Sequence, residues 1–166
     1  MPTRRDGLHA FAAALASAGL AGCGFELRRA PALPFRRMAL VGFSQDTTTG
    51  DELRRALPDG VAIVEDPRES DVVLEALADR RRRSVAASTA AGQVREVTLH
   101  STLTYRLSTR GGKALLPPAT IELRRDMSYS ETLALGKADE EQTLWRAMEA
   151  DIAMQVLRRL AATPPL

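Results

Sequence analysis

Residues 97–107 read VTLHSTLTYRL. Val97, Leu99, Leu103, Tyr105 and Leu107 fall on one side of an extended chain, and Thr98, His100, Thr102, Thr104 and Arg106 on the other. A period of two marks a half-buried strand, because successive side chains of a pleated backbone point to opposite faces. One face of this strand is therefore buried, and the other meets something polar.

Working toward the C-terminus, Gly111-Gly112 turns the chain, Pro117-Pro118 delays it, and 120–129 (TIELRRDMSY) returns as a further strand carrying Arg124 and Arg125. The closing element is a long helix. Leu144, Met148, Ile152, Val156 and Leu160 recur every four residues, and Trp145, Ala153 and Leu157 widen the stripe to a face that can lie on a sheet. Asp139 and Gln142 have the spacing of a capping box, which predicts the helix start there, with Glu140 and Glu141 at the favourable positive end of its dipole. Arg158 and Arg159 complement the other end, and Pro164-Pro165 ends it.

Working toward the N-terminus, the uncharged segment 84–93 (SVAASTAAGQ) reads as a crossing, and Asp71 to about Arg83 as a strand ending in four arginines, Arg80 to Arg83. Val61–Val64 and Met38–Phe43 are two short strands. Between them, Thr49-Gly-Asp-Glu52 has capping-box form and opens a short helix with Leu53 and Leu57 on one face, stopped by Pro58. The order β-α-β-β-β-β-α predicts an α+β fold, a two-layer sandwich with two helices packed on one face of a small mixed or antiparallel sheet. The other face is rich in Thr, Ser and Arg, and no segment remains to cover it.

The N-terminus carries a different signal. Arg4 and Arg5 precede an Ala/Leu-rich run, Leu8 to Leu20, within the ~7–15 residues of a signal-peptide core and short of the ~20 that span a bilayer. Leu20-Ala-Gly-Cys23 then matches a lipobox, in which small residues admit the peptidase and the thiol takes a thioether-linked lipid. These features predict a signal peptide over 1–22, lipidation at Cys23 and a Pro-stiffened tether over 23–37. A single domain follows over 38–163, then a short tail over 164–166. Cys23 is the only cysteine, so no disulfide is expected.

Several activities lose their footing. The net charge of +2, from 23 Lys+Arg against 21 Asp+Glu, is too small to call for nucleic acid. His100 is the only histidine beyond the signal segment, a lone ring on the polar side of a strand, which reads as a surface residue. No catalytic triad and no metal-ligand cluster can be assembled, so neither an enzyme nor a bound metal or cofactor is expected, apart from the covalent lipid.

The run Arg125-Asp-Met-Ser-Tyr129, with Leu135-Gly-Lys137, Glu140-Glu141, Leu144, Met148, Asp151, Gln155 and Arg159-Leu160, resembles the C-terminal signature of the lipopolysaccharide-assembly lipoprotein LptE family. The start of the mature chain, Ala21-Gly-Cys-Gly-Phe-Glu-Leu-Arg28, is similar to that family's start. The resemblance implies an outer-membrane lipoprotein, held to the inner leaflet by its lipid and facing the periplasm. It further implies a plug, one to one, in the lumen of the LptD β-barrel that helps the barrel assemble and binds lipopolysaccharide. A barrel lumen is polar, so a polar sheet face suits a plug. Arginine engages phosphates of lipid A bidentately. Arg80, Arg81, Arg82, Arg83, Arg95, Arg106, Arg124 and Arg125 are thus candidates for lipopolysaccharide or barrel contact, the alternative for each being a solvated or ion-paired charge. A different reading of the whole chain is a periplasm-facing chaperone or pilotin for another outer-membrane complex.

Overall fold

The computed structural model describes residues 32–165; the expected signal peptide, Cys23 and most of the expected tether lie outside the described residues. Strand β1 (Arg37–Val41) leads to helix α1 (Thr49–Ala56) and strand β2 (Ala62–Val64). Three long strands follow, β3 (Val72–Ser88), β4 (Val94–Thr109) and β5 (Ala114–Ser128), and helix α2 (Ala134–Ala161) closes the chain. The sheet order is β2-β1-β3-β4-β5. β1 pairs in parallel with both β2 and β3, whereas β3, β4 and β5 form an antiparallel meander. Both helices pack on one face, giving the α+β two-layer architecture that the sequence predicts.

Burial follows the alternation. Val97, Leu99, Leu103, Tyr105 and Leu107 of β4 are fully buried beneath α2. From α2 they meet Trp145, Met148, Ile152, Ala153, Val156, Leu157 and Leu160. The core starts earlier than the predicted tether boundary, since Phe35 is buried in it and Arg37 already belongs to β1. The Asp71 carboxylate accepts from the backbone N–H of Arg36 and Arg37 and from the Arg37 guanidinium, which pins the chain entry to the start of β3.

Four expectations need correction. β3 continues to Ser88, through half of the segment read as a crossing, because pairing with β4 satisfies its backbone whatever its side chains are. β5 begins at Ala114 and contains Pro117-Pro118. The register steps from Leu116↔Leu107 to Ala119↔Tyr105, so both prolines stand against Arg106 at an irregularity of an edge strand, where their missing N–H groups cost least. α2 begins at Ala134, and Asp139 lies inside it. Glu140 pairs there with Lys137, and the expected cap is not made. The box at Thr49 is likewise unformed: the N-cap is Thr48, with no side-chain cap, and the Thr49 hydroxyl is spent elsewhere.

The core is also less uniform than its pattern. Between Leu99 and Leu103, Ser101 faces the helices fully buried, and its hydroxyl has no partner among the described residues. It marks a seam between a larger apolar cluster around Tyr105 and Leu157 and a smaller one around Trp145 and Met148. An unpaired buried hydroxyl costs on the order of 1 kcal/mol or more. Ser101→Ala is therefore expected to raise the unfolding free energy by about 1 kcal/mol, measured by urea denaturation.

Candidate functional site: an arginine strand divided between two faces

A single irregularity in β3 sorts the arginines. Val72, Leu74 and Ala76 point into the core as even-numbered residues. The register with β4 then slips between Ala76 and Ala78, leaving Leu77 as an extra, half-exposed residue. A bulge of this kind shifts the alternation by one. Beyond it the odd-numbered residues Asp79, Arg81 and Arg83 face the helices, and the even-numbered Arg80 and Arg82 face outward. The four-arginine run is not one cluster but two pairs back to back.

The inward side is a network of buried and half-buried ions. Glu149 of α2, fully buried, accepts from Arg81 through Nε and Nη2 at 2.6 and 2.7 Å, a bidentate fork. It also accepts the Thr48 backbone N–H at 2.8 Å and the Thr48 hydroxyl at 2.6 Å. Burial alone would push its carboxyl up, but the Arg81 and Thr48 donors outweigh that and hold it below the ordinary glutamate value. The hydrogen bond to Glu149 in turn raises the Arg81 guanidinium. Asp79 accepts the Thr47 hydroxyl at 2.6 Å, the Thr49 hydroxyl at 3.0 Å and the Ser44 N–H at 3.3 Å. Its burial prevails over these donors and lifts its pKa. Three successive threonines, Thr47 to Thr49, thus clip the loop before α1 to β3 and α2. Arg81 also lies over the Trp145 ring, 5.5 Å from its centroid.

Further along, Arg83 stacks on Tyr129 at 4.7 Å and pairs with Glu141 at 3.5 Å, while Arg125 of β5 approaches Asp151 at 3.9 Å. The acids of α2 at 141, 149 and 151 therefore each meet an inward-facing arginine of the sheet. Glu141, expected to serve the helix start, serves instead as partner to Arg83 and acceptor of the Trp145 N–H.

Four of the candidate arginines share the outward face with a ladder of hydroxyls. Arg106 pairs with Glu75 at 2.6 Å, and Arg124 with Glu122 at 3.5 Å. Thr104 and Thr120 hydrogen-bond to each other across strands, and Thr98 donates to Asp126. His100 is not the surface ring its position suggests. It is buried to 9% exposure, flanked by Arg82, Ser84 and Glu122. Beside it lies a trough of ≈ 560 Å³ walled by Arg80, Arg82, Thr102, Thr104, Thr120 and Glu122. Arg95 stands apart, at a smaller hollow of ≈ 240 Å³ near the β3–β4 turn, with Gln93, Ser130 and Thr132.

Sequence reasoning missed Glu149 and Asp79. Glu149 had a signal: it lies four residues from both Trp145 and Ala153, inside the buried stripe. Asp79 had none, because its inward direction depends on the bulge.

The lipopolysaccharide-assembly (LptE) family model matches residues 35–160, which is most of the chain and all of its sheet. The chain belongs to the LptE family. Three solved structures share the fold. A lipoprotein B from Nitrosomonas europaea is 27% identical with a TM-score of 0.67, over 84% of this chain and 91% of that one. The rare lipoprotein B of Shewanella oneidensis is 25% identical with a TM-score of 0.62, over 76% and 95%. A minor lipoprotein from Acinetobacter baumannii, 22% identical with a TM-score of 0.65 over 81% and 98%, supports the fold. Among curated proteins, none matches the sequence. Membership in the LptE family assigns the chain to lipopolysaccharide assembly as a lipoprotein. No helix among the described residues is long and apolar enough to cross a membrane.

Proposed function

We propose that this LptE-family protein is lipidated at Cys23, sits at the outer membrane, and plugs and helps assemble an LptD-type β-barrel. In that place it binds lipopolysaccharide without catalysing a reaction. The observation that carries this reading is the outward sheet face. Arginines and threonines line it on β3, β4 and β5, and neither helix lies over it. A polar barrel lumen offers such a face complementary hydrogen bonds. The phosphates of lipopolysaccharide match guanidinium groups that present planar, paired donors. Arg80, Arg82, Arg106 and Arg124 are the contacts on that face, with Arg95 at the far end. Arg81 and Arg83 are engaged by α2 and contribute through the fold, whereas Arg125 meets Asp151 only at 3.9 Å with both side chains exposed, a pair that adds little.

Co-purification in mild detergent tests the partner. A one-to-one complex with a large β-barrel supports the plug, whereas recovery alone or with a secretin supports the chaperone or pilotin reading. The division of the arginines supplies a sharper test. Arg80→Glu with Arg82→Glu is expected to weaken lipopolysaccharide binding at least about tenfold and flatten its salt dependence, since exposed charges are screened over ~8–10 Å. Reversal of Arg54 and Arg55, exposed on α1, is the control and should change nothing. Equal losses in both variants would assign the effect to net charge alone.

A further inference from the structure

β5 is an edge of the sheet, paired to β4 only. Which of its backbone groups are unused follows from one hydrogen bond. The Tyr129 N–H donates to the Arg95 carbonyl, so odd-numbered residues of this strand turn their backbone groups toward β4. Thr120, Glu122, Arg124 and Asp126 therefore turn their N–H and C=O groups off the edge. Their side chains lie on the outward face and are exposed. Long edges are usually blunted by charge, proline or bulges. Pro117 and Pro118 do this for the first part of β5; from Thr120 to Ser128 the strand is regular and its guards are the charges of Glu122, Arg124 and Asp126, which turn away any partner that does not match them.

The charges on that regular part are complementary to themselves. When two antiparallel copies meet about a two-fold axis at Leu123, Glu122 of each lies opposite Arg124 of the other, and Thr120 opposite Asp126. All four pairs are then hydrogen-bonded pairs of the ladder, built from the backbone groups that point off the edge. Leu123 meets its own copy in a non-hydrogen-bonded pair. A shift of two residues in register places Arg124 against Arg124 and Glu122 against Asp126, so like charges reject that alternative. The geometry points to a second copy of this chain as the occupant of the β5 edge, forming a continuous sheet across an isologous two-fold contact between residues 119 and 127. Arg124 is largely exposed and Glu122 about half-exposed; they are ion-paired within one chain at 3.5 Å and exchange that contact for the pairs between chains, while Glu122 also meets His100 at 3.4 Å. A strand-to-strand contact of this length lies at the small end of specific interfaces, below ~1,200 Å² in total. The dimer is thus a concentration-dependent one, separate from the plug reading.

Disulfide capture of the full chain in detergent tests this. In the proposed register the two Leu123 Cα atoms lie about 4.5 Å apart, a separation a disulfide can close. The Ser128 Cα atoms lie roughly 34 Å apart. Leu123→Cys should cross-link at least tenfold faster than Ser128→Cys, with the wild-type chain, carrying only Cys23, as background. Glu122→Arg added to Leu123→Cys should slow capture at least tenfold, and Glu122→Arg with Arg124→Glu should restore it. Because Leu123 packs against both apolar clusters, the same charge set is read on chains keeping Leu123 by sedimentation equilibrium. Equal capture at 123 and 128, a monomer at every concentration, or dimerisation indifferent to the charge swap would overturn the proposal. Capture of a different protein by the Leu123→Cys chain in place of its own copy would do the same.

Discussion

Glu149→Ala is expected to lower the unfolding free energy by about 3–5 kcal/mol, a large share of the 5–15 kcal/mol that holds most domains folded. The loss is not the worth of the ion pair itself. Removing the carboxylate leaves the Arg81 guanidinium, about four-fifths buried, without its bidentate partner, and strips the Thr48 N–H and hydroxyl of their acceptor. Replacing both partners by apolar residues, Arg81→Met with Glu149→Leu, should recover the larger part of this loss, because no charge then remains unpaired, and leave only the cost of the Thr48 donors that still lack an acceptor. Urea denaturation of the parent and the two variants separates these outcomes. Equal destabilisation of the single and double variants would mean that the clip to Thr48, rather than the buried charge, dominates.

The same network sets a pH dependence of stability. The pKa of Glu149 is lower in the folded chain than in the unfolded one, so its stabilisation is complete above the ordinary glutamate range. It is lost as pH falls through the depressed folded value. Asp79 acts in the opposite direction: its raised pKa means that protonation favours the fold as pH falls. The stability gap between wild type and Glu149→Gln should therefore be widest near neutral pH and close on acidification. A gap that is constant with pH would rule out an ionised Glu149 in the fold.

Gly42→Ala is the second large effect, expected at about 2–4 kcal/mol of destabilisation. Gly42 follows β1 with φ of +76°, a conformation that costs an L-residue about 1 kcal/mol or more. A Cβ there would also collide with the carbonyl oxygen of Ala76, which is backbone and cannot swing aside. Ala76 borders the bulge, so relief would have to come from moving the register step that aims Asp79 and Arg81. The readout should include more than stability. A shifted bulge would disturb the Arg81–Trp145 stack, visible as a change in Trp145 fluorescence in the still-folded fraction. Loss of stability with unchanged Trp145 emission would confine the damage to the turn.

Much of the architecture is legible in local patterns because periodicity is a local property. The alternation of 97–107 and the four-residue stripe of 144–160 each report one buried face, and their order along the chain yields two layers. The ends of elements are less legible. The segment 84–88 pairs with β4 despite bland side chains, and Pro117-Pro118 sit within an edge strand, because ladder partners contribute from elsewhere in the chain. Capping motifs misled for a related reason. The hydroxyl of Thr49 has a stronger claimant in the Asp79 carboxylate, which is thirty residues away in sequence and adjacent in space.

The sequence by itself determined the fold class, the covered and open faces of the sheet, and the family, since each is written in residue types at short spacing. Only the tertiary structure decided what the arginines do. One inserted residue at Leu77 reverses the phase of β3, and with it which of Arg80 to Arg83 face the open side and which turn to Glu149 and Glu141. A bulge exists only relative to a partner strand, and a strand's own sequence carries no count of the residues opposite it.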